Sequence, residues 1–184
     1  MPAKSTSNRY GTVAIFIHWL TVVMVFVQAL GGFWAATTAN PATQAAILRL
    51  HAPFGMAILV ITLFRILWWL AFDKKPRDMA SVPPIQNVAA KAVHGLLYLA
   101  LLGMGLSGII LMNTSGAGEV LFGAGGTLPN FWDYTAFYVH AAIAWGLIIL
   151  IIGHIGAALY HQFMVGDRLL GRMGLGQPPS TPQG

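Results

Sequence analysis

The stretch Tyr134–Met164, YTAFYVHAAIAWGLIILIIGHIGAALYHQFM, decides the fold. No Asp, Glu, Lys or Arg falls between Asp133 and Asp167, and a helix needs only ~20 apolar residues to cross a bilayer. The apolar residues follow one another without the period-two alternation of a membrane barrel strand. Lipid offers no partners to backbone N–H and C=O groups, so a helix, which pairs them internally, is the form this stretch takes. Three histidines interrupt it: His140, His154 and His161.

Working outward, charge-free gaps recur between Arg9 and Arg49 and between Lys91 and Glu119, and Leu50–Phe72 carries only Arg65. The sequence therefore predicts spans at 12–36, 48–71, 90–113 and 134–164. Across the 184 residues, 57% are hydrophobic and 8% charged, against roughly 25% charged in soluble domains. That balance excludes a free cytosolic enzyme. The expected fold class is all-α, an integral-membrane four-helix bundle. One transmembrane domain is expected over residues 1–165, with a tail over 166–184 disordered at its Pro- and Gln-containing end. The absence of cysteine excludes disulfides, thiolate metal sites and thiol nucleophiles. The first apolar run exceeds the ~7–15 residues of a signal-peptide core and contains His18, so it reads as a mature helix.

Basic residues set the direction. Lys4 and Arg9, then Lys74, Lys75, Arg77 and Lys91, then Arg168 and Arg172 fall on one side, eight of the ten in the chain. By the positive-inside rule both termini face the cytoplasm. The formal net charge of +5 is mostly this topogenic signal, and no nucleic-acid partner is expected.

Six histidines, His18, His51, His94, His140, His154 and His161, lie in or at the edges of the spans. Ionisable residues in membrane helices are rare and usually functional. With spans one and three running outward and spans two and four inward, His51 and His140 share the outer level. His154 follows His140 by 14 residues, a rise of about 21 Å and nearly four whole turns. It therefore keeps the same helix face at the inner level, near the depth of His18. His94, close to Lys91, and His161, beyond His154, reach the interface instead. Two cross-helix pairs follow, His51 with His140 and His18 with His154.

Stacked bis-histidine pairs inside an apolar bundle suit two b-type haems, with these four imidazoles as axial iron ligands. Zinc, copper and non-haem iron would want further convergent ligands that neither pair supplies. Two axial histidines leave no open iron position, which points to electron transfer between the two membrane faces.

With those residues placed, the chain resembles the small bacterial cytochrome b561 proteins. The matching pieces are Arg9-Tyr10 with Ile17-His18-Trp19-Leu20, Leu50-His51 with Arg65 14 residues on, and His94-Gly95-Leu96-Leu97-Tyr98. His140 followed by His154 and His161, at 14 and 21 residues, completes them. The resemblance implies haem ligation by His18, His51, His140 and His154. It also implies a ubiquinone site at His94 and His161, as in superoxide-oxidising members of the family.

The remaining signals have two readings each. Arg65 pairs with a haem propionate or the quinone, or snorkels to the interface beside Trp68 and Trp69. Lys91 and Arg168 face propionates or are solvated topogenic charges. Gly103-Met104-Gly105-Leu106-Ser107-Gly108 formally matches a nucleotide fingerprint. With no strand before it, it reads as small residues for close helix or macrocycle approach. Gly153 and Gly156 flank His154 and leave room for a porphyrin edge. Thr114–Asp133 reads as a mobile, partly apolar cap at the outer face, in contact with the donor.

The expected function is a dihaem cytochrome of the bacterial inner membrane. It would carry electrons from a periplasmic donor to ubiquinone at the cytoplasmic side, as a superoxide:ubiquinone oxidoreductase or another quinone-linked carrier. The resemblance makes superoxide the leading donor. Against it, Arg49 is offset at the outer face by Glu119 and Asp133, whereas steering an anion needs positive potential. The rival is a cytochrome b subunit serving a dehydrogenase or periplasmic redox protein, and a further rival is a non-redox bundle or transporter. Membrane lipid and quinone are the other expected partners, with a second copy of the chain or a dehydrogenase as a candidate. No residue is assigned a catalytic role.

Overall fold

The computed structural model describes residues 2–78, 82–123 and 125–177. These residues are all helical or irregular, with no strand among them. Helix α1 is Thr12–Thr37, and α2 is Pro41–Leu67, continued by a π-helical turn Trp68–Phe72. Helix α3 is Pro84–Thr114, α4 is Ala117–Phe122, and a 3-10 turn covers Phe131–Asp133. Helix α5 is Thr135–Tyr160, continued by a π turn His161–Val165, and α6 is Leu169–Arg172. Four helices are long and apolar enough to cross a membrane: Thr12–Thr37, Pro41–Phe72, Pro84–Thr114 and Thr135–Val165.

Local chemistry explains where they start and stop. Helix α2 opens at Pro41 rather than Leu48. Asn40 Oδ1 accepts the N–H groups of Ala42 and Thr43 at 3.0 and 3.1 Å, and proline at the first helical position gives up no hydrogen bond. Proline also stands first in α3, at Pro84, ahead of the expected Ala90, without a side-chain cap: the Pro83 carbonyl accepts the N–H groups of Gln86 and Asn87 at 2.9 and 3.3 Å. The π turn after α5 closes on Gly166, whose N–H bonds to His161 O at 3.0 Å. Its φ of 74° is left-handed, which glycine adopts without a Cβ clash.

The outer faces are apolar. Leu30 is 72% exposed, Leu70 79% and Ile149 67%, a surface that suits hydrocarbon and would aggregate in water.

The chain forms two compact units. The first contains Met1–Leu20, Leu63–Leu97 and Ile148–Gly184, and the second Thr21–Thr62 and Tyr98–Leu147. In the first, three distant segments are clasped together by polar bonds. Asp73, 8% exposed, accepts from Ser5 N at 3.0 and 3.1 Å, Ser5 Oγ at 2.8 Å, Trp68 Nε1 at 3.3 Å and Lys74 N at 2.8 Å. Arg172, equally buried, donates from Nε to Asn8 O at 3.2 Å and from Nη2 to Arg77 O at 2.7 Å. Trp19 Nε1 donates to Met173 O at 3.0 Å. Arg77 and Arg172, read above only as topogenic charges, thus also belong to this clasp: the first through its backbone, the second through its guanidinium. The end of the expected tail, 178–184, lies outside the described residues.

In the second unit, glycines let helices meet. A Cβ on Gly105 would stand 2.9 Å from Leu59 Cβ, and one on Gly103 3.4 Å from Ile143 Cδ1. This is close helix approach, and it accounts for the Gly103–Gly108 stretch. Residues 114–133 are not a bare loop, because α4 inserts Ala117 and Leu121 among its buried residues. Arg49 stands on α2 and donates from Nε to Leu121 O at 3.1 Å, which ties α4 to that helix.

Candidate functional site

In the second unit, α2 carries His51 and α5 carries His140, both half-buried. Their ring centroids are 6.4 Å apart, with ring planes at 72°. Ser107 on α3 lies 2.8 Å from His140 Nδ1 through Oγ and donates that hydroxyl to Met104 O at 3.1 Å. A hydroxyl has one proton, and here it is directed at a carbonyl. Its lone pair must then accept from His140 Nδ1–H. The Met104 carbonyl, an acceptor only, also faces the ring. The Ser107 contact places the proton on Nδ1 and leaves the Nε2 lone pair free, the state a metal-binding imidazole needs.

His51 is held by its backbone. Gln28 Nε2 donates to His51 O at 2.8 Å, and the amide fits because Gly55 has no side chain: a Cβ there would stand 3.1 Å from it. A Cβ on Gly32 would reach 2.9 Å from His51 Cε1, so the ring rests against bare backbone. His51 Nδ1 is buried with no hydrogen-bond partner.

In the first unit, α1 carries His18 and α5 carries His154, again 6.4 Å apart by ring centroids and tilted by 72°. His94 on α3 is exposed and comes closer to His154, at 5.2 Å. A hydrogen bond links it to the Ala90 backbone one turn earlier. Arg65 Nη1 and Nη2 each lie 3.5 Å from His18 Nδ1, so the guanidinium turns toward the histidine rather than away from it. Arginine only donates, which makes His18 Nδ1 the acceptor in this long contact. His161 meets other groups: its ring packs on Tyr160 at 5.8 Å, and its Nδ1 lies 2.6 Å from Asp167 Oδ2. Sequence reasoning missed Ser107 and Asp167, whose contacts cross helices or fold back over a turn.

Electrostatics beside the first unit's rings is cationic. Burial, then the Arg65 and Lys91 charges, hold the Lys75 ammonium below its usual range. Burial alone would raise the Asp73 carboxyl, but bonds from Ser5, Lys74 and Trp68 outweigh it and hold the group below its ordinary 3.8.

The residues fit a haem. An iron about 2 Å from one nitrogen of each ring puts the ring centres about 6 Å apart, and both cross-helix pairs stand at 6.4 Å. His94 and His154, at 5.2 Å, are too close for an iron between them. No cluster of three or more His, Cys, Asp or Glu able to hold a metal ion occurs among the described residues.

Comparison with known proteins agrees. Residues 9–176 match the family described as prokaryotic cytochrome b561. The chain is 29% identical to cytochrome b561 homolog 2 of Escherichia coli K12 over 179 residues, covering 94% of this chain and 95% of that one. It is 28% identical to cytochrome b561 homolog 1 of the same organism, covering 90% and 97%. It is also 27% identical to a probable superoxide oxidase CybB of Yersinia pestis, covering 90% and 96%. The chain belongs to the prokaryotic cytochrome b561 family, a membrane b-type cytochrome of electron transport for which haem b is the implied cofactor.

Proposed function

We propose that this protein is a dihaem cytochrome b that carries electrons across the bacterial inner membrane, from a periplasmic donor to ubiquinone on the cytoplasmic side. The observation that carries the reading is the repeated ring geometry. Two histidine pairs on different helices share one separation, 6.4 Å, and one tilt, 72°. Both termini face the cytoplasm in this reading, with their basic residues.

When bound, haem b supplies reversible one-electron exchange. His51 and His140 hold one haem, and His18 and His154 the other. Ser107 keeps His140 in the ligand tautomer. If a neutral His18 held haem iron through Nε2, its proton would lie on Nδ1, which could then not accept from Arg65. Arg65 therefore turns to another acceptor, and a propionate carboxylate is the natural one. His94 and His161 serve the quinone.

Superoxide is the favoured donor, supported by the name of the Yersinia pestis relative. An electron moving inward against the membrane potential costs ~2.3 kcal/mol per 100 mV, so a strong reductant is required. A second reading, a cytochrome b subunit fed by a dehydrogenase or redox protein, is favoured by the charges of the outer segments. Arg49 stands there against Glu119 and Asp133, and its Nε–H is already engaged by Leu121 O.

Two measurements test this. A pyridine haemochrome assay on the purified protein is expected to give two haems b per chain. One haem overturns the dihaem reading, and none supports a non-redox bundle. Stopped-flow mixing with superoxide is expected to reduce haem much faster than superoxide dismutates, and failure to do so transfers the donor role to a protein. His140→Ala is expected to lose one haem and keep the other. Loss of a haem in His161→Ala would overturn the pairing of His18 with His154.

A further inference from the structure

The histidine farthest along α5 carries a partner that the electron path does not use. His161 opens the π turn ending that helix, and the left-handed Gly166 reverses the chain so that Asp167 folds back against the ring. Asp167 Oδ2 lies 2.6 Å from His161 Nδ1, with side chains 2% and 15% exposed. Asp167 Oδ1 accepts Leu169 N–H at 3.1 Å, and Asp167 N–H bonds to His161 O at 3.3 Å. The carboxylate is thus fixed by its own backbone and by the start of α6, and it presents one oxygen to the imidazole.

We infer that Asp167 is the positioning residue that makes His161 the proton donor to quinone; this rests on the quinone reading above. A carboxylate only accepts. Nδ1 therefore keeps its proton in both charge states of the ring, and Nε2 is the nitrogen that gains and loses one. The protonated ring offers Nε2–H to a quinone carbonyl oxygen. As that oxygen gains electrons, an O–H bond forms and the Nε2–H bond breaks, leaving a neutral ring with its proton on Nδ1 against Asp167. Ubiquinone takes two electrons in all, from two superoxide-class donors each oxidised to dioxygen, or from one-electron donors of the dehydrogenase class. It takes two protons, one through His161 and one from water, and water then restores the proton on Nε2.

The test uses the full-length, haem-loaded protein and ubiquinone-1. Asp167→Asn keeps an oxygen for Leu169 N–H but turns an NH2 group toward His161. Nδ1 must then accept, and the neutral ring carries its proton on Nε2. Such a ring still hydrogen-bonds a carbonyl, but it is a far weaker acid. The expected result is a kcat lower by about 100-fold, the low end of what a positioned general acid contributes, with KM for ubiquinone-1 and haem content unchanged, and recovery of most of the rate in Asp167→Glu. In 15N-histidine spectra the wild-type His161 is expected to hold its proton on Nδ1 when neutral, and this readout needs no variant. Wild-type kcat in Asp167→Asn beside a slow His161→Ala overturns the inference. So does a neutral wild-type ring protonated on Nε2, or equal loss in the Asn and Glu variants with a raised KM. Wild-type rates in His161→Ala would instead overturn the quinone reading itself.

Discussion

Replacing Ser107 with alanine is expected to loosen one haem and leave the other in place. Ser107 is 6% exposed, and its Oγ lies 2.8 Å from His140 Nδ1. Alanine leaves that ring N–H with only the Met104 carbonyl and removes the bond that fixes the ligand tautomer. A buried donor stripped of its partner costs about 1–3 kcal/mol. Outer partners of metal-bound histidines are typically worth 10- to 100-fold in affinity, or about 1.4–2.8 kcal/mol, so two independent routes give the same range. Because Met104 retains part of the interaction, the lower end applies, a loss near tenfold. The assay is haem transfer from the purified protein to excess apomyoglobin, followed in the Soret band. One kinetic phase is expected to accelerate about tenfold while the other stays at the wild-type rate. His140→Ala identifies the affected phase, because that haem is already absent. Unchanged phases would refute the role given to Ser107, and equal acceleration of both would show general loosening instead.

Gly32→Ala is expected to lose the same haem, since its Cβ would stand 2.9 Å from His51 Cε1 and push the ring off axis. The haem-to-protein ratio checks this: overpacking displaces the ring, so a fall from two haems to one per chain is expected. Arg65→Met is expected to lower the midpoint potential of one haem only, by tens of millivolts, because a nearby cation favours the extra electron; a redox titration reads it. Asp73 is held below its ordinary 3.8. It stabilises the fold above that value and loses this contribution as pH falls through its depressed folded value. Melting temperature is therefore expected to drop on acidification below about pH 4 in the wild type. Asp73→Asn is expected to melt lower at neutral pH and to show less of that acid-dependent drop.

The spans were legible because charge is so scarce: lipid forbids it, and the gaps between charged residues mark the crossings. The meeting of His51 with His140 and of His18 with His154 was legible for a related reason. Fixed helical rise and alternating direction turn sequence position into depth. The early starts of α2 and α3 were signalled by Asn40-Pro41 and by Pro83-Pro84, which apolar runs alone pass over. Ser107 gave no such signal, because a serine within a membrane helix usually bonds back to its own backbone, and only packing shows which histidine it also meets. Arg172 likewise looked like one more topogenic charge. Its burial against the carbonyls of Asn8 and Arg77 depends on segments far apart in the chain, a distance no local pattern encodes.

The clasp of Ser5, Asp73, Asn8, Arg77 and Arg172 has a consequence for biogenesis. Its bonds join residues up to 164 positions apart, so none involving Arg172 forms until that residue has left the ribosome. Contacts of such long range close late. The bonds of Arg172 to the Asn8 and Arg77 carbonyls therefore close only after all four long helices have been synthesised. A protease cut after Val165 would sever Arg172 from the helix that leads to it and leave the bonds between Ser5 and Asp73 in place.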